Sequence, residues 1–395
     1  MALSEAMSGL GSVNAPIRVP TAIYVHVPWC VRKCPYCDFN SHVAPANAPF
    51  TDYLTALLRD LDFELAERPL KAAPVTLFFG GGTPSLLPAT VLENLIAGIR
   101  QRTGLSIEAE ITLEANPGTV ERGRFAEYAA AGINRISLGA QSFNDALLRR
   151  IGRIHSTAET GQAIAELAAA GIGNFNLDLM YGLPGQTIAS ALEDLEQAIA
   201  YEPPHLSWYE LTLEPGTAFH RRPPRLPPEG DMLNMEADGR ERLAKAGFER
   251  YEVSAYARGG ARCRHNENYW GYGDYLGVGP GAHGKRSCGD RIWRSERIHS
   301  PARWLRLAGT PEAVSLNEVA PCERPFEYAL NALRCIHGFD WPTFEARTGL
   351  SRGKVIGPVT EAVADGLLEM DGERVWPSTR GLRYLNDLQA RFLPA

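Results

Sequence analysis

Three cysteines fall within eight residues in the stretch WCVRKCPYC at residues 29–37, where Cys30, Cys34 and Cys37 have the spacing C-x3-C-x2-C. The stretch directly follows a short apolar run at residues 23–27, which predicts a first β-strand. Thiolates are soft ligands that suit iron–sulfur clusters and zinc. The sequence therefore predicts a metal centre at the end of the first strand.

The number of ligands separates two kinds of metal centre. A closed zinc site has four protein ligands, and Asp38 or His42 is available as the fourth. Three thiolates on a four-iron cluster leave one iron open, and that iron can hold a small molecule through nitrogen and oxygen. The spacing and its place after the first strand favour the cluster. The chain has seven cysteines, an odd number, which does not suggest a disulfide framework.

Apolar runs alternate with helical patterns over the first 250 residues. Strands are predicted at residues 23–27, 75–79, 110–114, 134–139, 174–180 and 206–213. Helices are predicted near residues 54–65, 92–99, 120–131, 157–171, 187–201 and 231–247. Such alternation indicates an α/β fold with a parallel sheet, either doubly wound or an incomplete barrel. In both, chemistry gathers at the carboxyl ends of the strands.

Composition excludes several classes of protein. The 395 residues suggest two to three domains, and 40 Lys and Arg against 46 Asp and Glu give a net charge of −6. We therefore expect no nucleic-acid partner, since no basic run is present. No apolar run is long enough for a membrane span. Residues 1–20 are predicted to be a flexible tail, not a secretion signal, and the protein to be cytoplasmic.

The amino-acid composition changes after residue 250. Residues 21–250 are predicted to form the barrel, and residues 251–320 an extension rich in Tyr, Trp, His and Gly. Residues 321–395 have the pattern of a winged helix, with two helices, a small β-wing and a final helix. Nine Lys or Arg against ten Asp or Glu in this segment indicate a packing or lid role, not DNA binding.

Five further motifs accompany the cysteines. They are YVHVP at 24–28, FGGGTP at 79–84, LEANP at 113–117, SLGAQSF at 137–143 and DLMYGLP at 178–184. Together these motifs resemble the radical SAM superfamily, in its coproporphyrinogen III oxidase-like branch, over roughly residues 21–390. The resemblance implies an incomplete (β/α)6 TIM-like barrel. It also implies a 4Fe-4S cluster on the three cysteines, whose open iron binds S-adenosylmethionine (SAM).

The resemblance also implies a set of SAM-binding residues. The matching positions are Tyr24, Gly81, Gly82, Thr83, Glu114, Gln141, Arg153 and Asp178. The glycines allow close approach of a ligand, Glu114 can accept hydrogen bonds from ribose hydroxyls, and Arg153 can pair with the methionine carboxylate. Taken singly, the glycines also suit a plain strand-to-helix turn, and the polar residues also suit structural roles.

One position departs from the oxidase pattern. The porphyrinogen-oxidising members carry a fourth cysteine two residues after the third, and this chain has Phe39 there. We also expect the longer segment that those members carry ahead of the cysteines to be missing here. Within the branch, the chain is most similar to the heme chaperones.

A second motif, HNENYW at residues 265–270, matches the HNxxYW pattern of those chaperones. His265 is the predicted axial ligand of heme, with Tyr269 and Trp270 offering flat apolar faces. Arg262 and Arg264 are candidates for pairing with the propionates. His265 is equally compatible with a structural role, and His283 and Cys263 are alternative heme ligands.

The predicted function is that of a heme chaperone, which binds heme and a SAM-liganded cluster and transfers heme to an acceptor protein. A membrane-associated acceptor is one possibility. The alternatives are an oxygen-independent coproporphyrinogen III oxidase, and a radical SAM enzyme with another substrate. Covalent and non-covalent heme attachment are both compatible with these residues, as are cleavage and simple binding of SAM.

Overall fold

The computed structural model describes residues 19–118 and 123–394, so nearly all of the predicted tail lies outside the described residues. Six successive parallel strands form the centre of the sheet, as predicted. They are Thr21–Val27 (β1), Thr76–Gly81 (β2), Glu110–Ala115 (β3), Arg135–Gln141 (β4), Phe175–Tyr181 (β5) and His205–Glu210 (β6). Their nearly continuous burial is typical of parallel strands with both faces covered.

Helices connect these strands and follow the last of them. They are Phe50–Glu67 (α1), Ala89–Thr103 (α2), Phe125–Ala130 (α3), Asp145–Arg150 (α4), Thr157–Ala169 (α5), Ile188–Ala200 (α6), Ala218–Arg221 (α7) and Glu229–Lys245 (α8). A capping box on Ser156 begins α5, and Gly104 in the left-handed region (φ 69°) ends α2. Apolar stripes such as Leu57 and Leu61 of α1 are fully buried in the main core.

The segment from residue 249 onward extends the sheet at both ends, which the sequence did not predict. The added strands are Glu249–Arg250 (β7), Ala255–Ala257 (β8), Asp274–Val278 (β9), His283–Cys288 (β10), Arg291–Arg297 (β11) and Val314–Glu318 (β12). The strand order is β12-β11-β10-β9-β1-β2-β3-β4-β5-β6-β8-β7. Because β1 pairs with β9 in parallel register, the arc of six strands stays open within the described residues.

Two helices lie in this extension, Arg264–Trp270 (α9) and Pro301–Leu307 (α10). Helix α9 contacts β1, β2 and β9 and begins beside the first residues of β2 and β3. It therefore covers the amino ends of the strands, opposite the end that carries the cysteines.

The carboxyl-terminal part is helical with a small sheet. Its helices are Arg324–Ala332 (α11), Trp341–Thr348 (α12), Ile356–Ala364 (α13), Thr379–Arg383 (α14) and Leu385–Ala390 (α15). Phe339–Asp340 (β13), Leu368–Met370 (β14) and Arg374–Pro377 (β15) form an antiparallel sheet in the order β13-β15-β14. A separate apolar core around Tyr328 and Phe344 holds this part together. None of the helices in the described part of the chain has the length and apolarity of a membrane span.

Candidate functional site

Two neighbouring cavities lie in the sheet. The smaller, of about 300 Å³, is lined by all three cysteines of the triplet. Seven of the eight predicted SAM-binding residues line it as well: Gly81, Gly82, Thr83, Glu114, Gln141, Arg153 and Asp178. The eighth, Tyr24, lines the larger cavity. The fold therefore gathers residues from five strands and the cysteine loop around one space.

The cysteine loop places its three thiols at the smaller cavity. Cys30 is buried, whereas Cys34 and Cys37 are half-buried, and none is in a disulfide. The Cys37 amide donates to the Cys34 carbonyl at 3.2 Å. Asp38 and His42, the alternative zinc ligands, line the other cavity. Within the described residues no group of three or more His, Cys, Asp or Glu is already set at metal-binding distances. Three free thiols facing one cavity fit a cluster with an open iron.

The glycines at the end of β2 have a packing role. Gly81 has φ 111°, and a Cβ there would lie 2.5 Å from the ring of His26. A Cβ on Gly82 would lie 2.6 Å from the Trp29 carbonyl oxygen, and the Gly82 amide donates to the Val27 carbonyl at 2.7 Å. Because backbone atoms cannot move aside, the strand end can approach the cysteine loop only with glycine here.

Two carboxyl groups meet at the boundary between the cavities. Glu114 accepts a hydrogen bond from the Gly81 amide at 3.1 Å. Burial, together with the charge of Asp178, raises the pKa of Glu114 to about 8. Asp178 accepts from Ser137 Oγ and Asn176 Nδ2, each at 2.9 Å. Burial also raises the pKa of Asp178. These acceptors suit the hydroxyls of a bound nucleoside.

Arg153 links the cysteine loop to the strand ends. Its guanidinium donates to the Gly139 carbonyl at 2.6 Å and to Asn116 Oδ1, and lies 3.9 Å from Cys34 Sγ. Asn116 in turn donates to Thr83 Oγ1 at 3.0 Å. Asn116 lies in the LEANP motif, but nothing in the sequence alone singles it out.

Gln141 has an unusual backbone. Its φ of 66° is in the left-handed region, at a register shift between Leu138 and Gln141 where β4 pairs with β5. The Tyr209 hydroxyl donates to Gln141 Oε1 at 2.9 Å. The bulge therefore turns this side chain, at the end of its strand, into the smaller cavity.

The larger cavity, of about 820 Å³, occupies the interior of the arc of strands and shares Phe39, Ser41, Glu114, Ser137 and Asp178 with the smaller one. Aromatic rings line part of it: Tyr24, Phe78, Tyr269 and Tyr275. Six of the nine histidines of the chain line it as well: His26, His42, His205, His265, His283 and His299.

His265 forms part of the floor of this cavity. The Glu110 carboxylate accepts from the backbone amides of Arg264 (3.2 Å) and His265 (3.1 Å), which fixes the start of α9. The His265 ring is 2.9 Å from Thr76 Oγ1 through Nδ1 and packs on Phe78 at 4.9 Å between centroids. Nε2 has no hydrogen-bond partner in the described part of the chain. Burial and the charge of Arg135 lower the pKa of His265 to about 3.

The other residues of this motif have separate environments. Tyr269 lines the cavity, whereas Trp270 packs against Tyr251 at 5.8 Å between centroids. Arg262 is in an ion pair with Glu249 at 2.7 Å. Neither Arg262 nor Arg264 lines the cavity.

The two alternative heme ligands also differ. Cys263 is 1% exposed, lies 3.7 Å from Glu110 Oε1 through its sulfur, and is not among the cavity-lining residues. Burial raises its pKa to about 11. His283 is exposed at the cavity rim, with its ring centroid 6.5 Å from that of His299.

Comparison with known proteins identifies the class. The model of the radical SAM superfamily matches residues 24–198, and that of the HemN C-terminal domain matches residues 319–384. The solved structure of coproporphyrinogen III oxidase (HemN) from Escherichia coli has a TM-score of 0.78 at 22% identity, covering 96% of this chain and 91% of that chain. The fold is thus the radical SAM α/β fold.

Two relatives identify the family. Heme chaperone HemW of Escherichia coli is 44% identical over 95% of this chain and 98% of its own length. Heme chaperone HemW of Haemophilus influenzae is 43% identical, with the same coverage. The chain belongs to the HemW family of radical SAM proteins. A mouse relative, radical S-adenosyl methionine domain-containing protein 1, is 35% identical over 98% of this chain and 91% of its own.

Proposed function

We propose that this protein is a heme chaperone that binds heme in the larger cavity, beside a SAM-liganded 4Fe-4S cluster, and transfers the heme to an acceptor protein. The observation that carries the proposal is the pair of adjoining cavities, one lined by the cysteines and the other by His265 and aromatic rings. The HemW relatives, which are named heme chaperones, support it. We also propose a cytoplasmic location, where thiols stay reduced.

The smaller cavity is the proposed site of the cluster and SAM. Cys30, Cys34 and Cys37 would hold the cluster, which supplies an open iron for SAM when it is bound. Glu114 and Asp178 would accept from the nucleoside hydroxyls, and Arg153 would face the carboxylate. Tyr24 would contact SAM only from the side of the larger cavity.

The larger cavity is the proposed heme site. Its volume of about 820 Å³ is within the usual range for small-molecule pockets. The free Nε2 of His265 is the proposed axial ligand, since Nδ1 is engaged by Thr76. The rings of Tyr24, Phe78 and Tyr269 offer apolar surface to a porphyrin.

Phe39 is the residue that argues against oxidase activity. The side chain is 57% exposed and lines both cavities, at the position where the resemblance leads us to expect a cysteine in porphyrinogen-oxidising members. An apolar ring here offers neither a proton nor a redox-active sulfur. We therefore propose that coproporphyrinogen III is not a substrate.

Gel filtration of the reconstituted protein after incubation with hemin tests the function. We expect about one heme per chain and a Soret band that stays with the protein. An anaerobic assay with coproporphyrinogen III and SAM is the companion experiment, and we expect no protoporphyrinogen. Steady turnover, together with loss of the Soret band on the column, would show that the protein is an oxidase and not a chaperone.

A further inference from the structure

Arg135 is a buried cation with no ion-pair partner at contact distance among the described residues. It is the first residue of β4, is 2% exposed, and lines the larger cavity. In the described part of the chain its Nε has no hydrogen-bond partner and its guanidinium is in no contact ion pair, although, against the larger effect of burial, its charge is near enough to lower the pKa of Asp178. Burying a charge without a partner at contact distance is unfavourable. Such a group is unusual unless a ligand completes it.

Two other buried cations, both in the sheet, have carboxylate partners at contact distance, whereas buried Arg324 is bonded to the Val319 and Thr348 carbonyls. Arg297, 1% exposed, is 3.1 Å from Asp60 and 2.9 Å from Glu64. Lys285, 1% exposed, is 3.0 Å from Asp274. Each of these cations is neutralised by a carboxylate from a neighbouring element.

The polar groups around Arg135 are already paired with one another. Asp178 accepts from Ser137 and Asn176, as described above. Asn176 Oδ1 accepts from Ser207 Oγ at 3.1 Å and lies 2.6 Å from His205 Nδ1. His205 Nε2 is 2.7 Å from the Tyr251 hydroxyl. This network is complete without Arg135, so the guanidinium remains available to a molecule in the cavity.

The position of Arg135 relative to His265 is the second observation. Arg135, His205 and His265 all line the larger cavity. The charge of Arg135 adds to the effect of burial in lowering the pKa of both histidines. A ligand held by His265 therefore lies beside a fixed cation. The aromatic rings and the guanidinium together suit a flat apolar molecule that carries a carboxylate.

We infer that Arg135 binds a carboxylate of the cavity ligand, and, resting on the proposed function, that this carboxylate is a heme propionate. Arginine is suited to this role because its planar guanidinium can bind both carboxylate oxygens. The role replaces the one that the sequence predicted for Arg262 and Arg264, which do not line the cavity.

The test compares hemin with hemin dimethyl ester, in which both propionates are esterified. Both are titrated into the reconstituted wild-type protein, Arg135→Gln and Arg264→Gln, and binding is followed by the Soret band. Wild type should bind hemin about 10- to 100-fold more tightly than the ester, the range for a charge-assisted hydrogen bond. Arg135→Gln should abolish this preference by weakening hemin alone. The matched control Arg264→Gln should keep it.

The outcomes separate the two claims. If wild type binds neither compound, the proposed function fails. Equal binding of both compounds by wild type, or an unchanged preference in Arg135→Gln, overturns the role of Arg135 while heme binding stands. If Arg135→Gln does not fold, Arg135→Lys is used, which keeps the positive charge but loses the planar guanidinium. Its affinity for hemin should fall several-fold, and wild-type affinity would overturn the inference.

Discussion

The Nδ1 atom of His265 lies 2.9 Å from the hydroxyl oxygen of Thr76, across 189 positions of sequence. Thr76 is the first residue of β2 and is fully buried. The contact fixes the orientation of the imidazole and engages one ring nitrogen, so Nε2 is the nitrogen left to face the cavity. A hydrogen bond of this kind is typical of histidines that bind metals.

Replacing Thr76 by Val should therefore weaken heme binding, although in the proposed site Thr76 acts only through His265. The side chain keeps its shape but loses the oxygen that holds the ring. Loss of such a supporting hydrogen bond costs about 10- to 100-fold in metal affinity. Hemin titration measures the effect. Thr112→Val on β3 is the matched control, because the buried Thr112 hydroxyl has no partner among the described residues. Equal affinities in the two variants would contradict the supporting role.

Heme binding through His265 should depend little on pH between 8 and 5.5. Burial and Arg135 lower the pKa of His265 to about 3, so the imidazole stays neutral until the pH falls far below this range. A solvent-exposed ligand with the ordinary pKa of about 6.5 would lose roughly tenfold in affinity at pH 5.5. Hemin titrations at several pH values measure this. A tenfold loss at pH 5.5 would point away from His265.

Replacement of Cys30, Cys34 or Cys37 by Ala should remove the cluster. Each thiolate ligates a different iron. Each single variant should therefore lose the bound iron, about four atoms per chain in the wild type, and the broad absorption near 400 nm. Cys322→Ala is the control, because this exposed cysteine is remote from the cavity. Full iron content in any one of the three variants, or stoichiometric zinc without iron, would contradict the assignment.

Glu114 should make the SAM-free protein less stable as the pH rises. Its pKa is raised to about 8 in the folded state, whereas the ordinary value is 4.5. The stabilisation from the protonated form is complete below about pH 4.5 and is lost as the pH rises through 8. Glu114→Gln removes this dependence. Denaturant unfolding at pH 5.5 and 8.5 should show a smaller difference for Glu114→Gln than for wild type, and equal differences would show that Glu114 is ionised throughout.

The central strands could be predicted because burial on both faces gives short continuous apolar runs. All six predictions overlap β1–β6, and the residues at their carboxyl ends meet in one cavity. The SAM-binding assignments rested on motifs, and for those residues the structure adds contacts such as that of Glu114 with Gly81.

The strands after residue 270 could not be predicted in the same way. β10 and β11 carry Lys285 and Arg297 at fully buried positions, which look like surface residues in sequence. Their partners, Asp274 and Asp60, are brought to them only by the sheet and by α1. Helix α9 was missed because seven residues are too few for a clear helical period. Arg135 could not be singled out in the sequence, because a single arginine in a strand does not reveal that it is buried without a contact ion pair.

The most direct test of the account is a hemin titration of His265→Ala beside His283→Ala in the reconstituted protein. His265 is the buried candidate on the cavity floor, and His283 is the exposed candidate at the rim. We predict that His265→Ala loses or shifts the Soret band while its iron–sulfur absorption is unchanged, and that His283→Ala binds hemin as wild type does. A wild-type Soret band in His265→Ala, with loss of binding in His283→Ala, would contradict the proposed heme site.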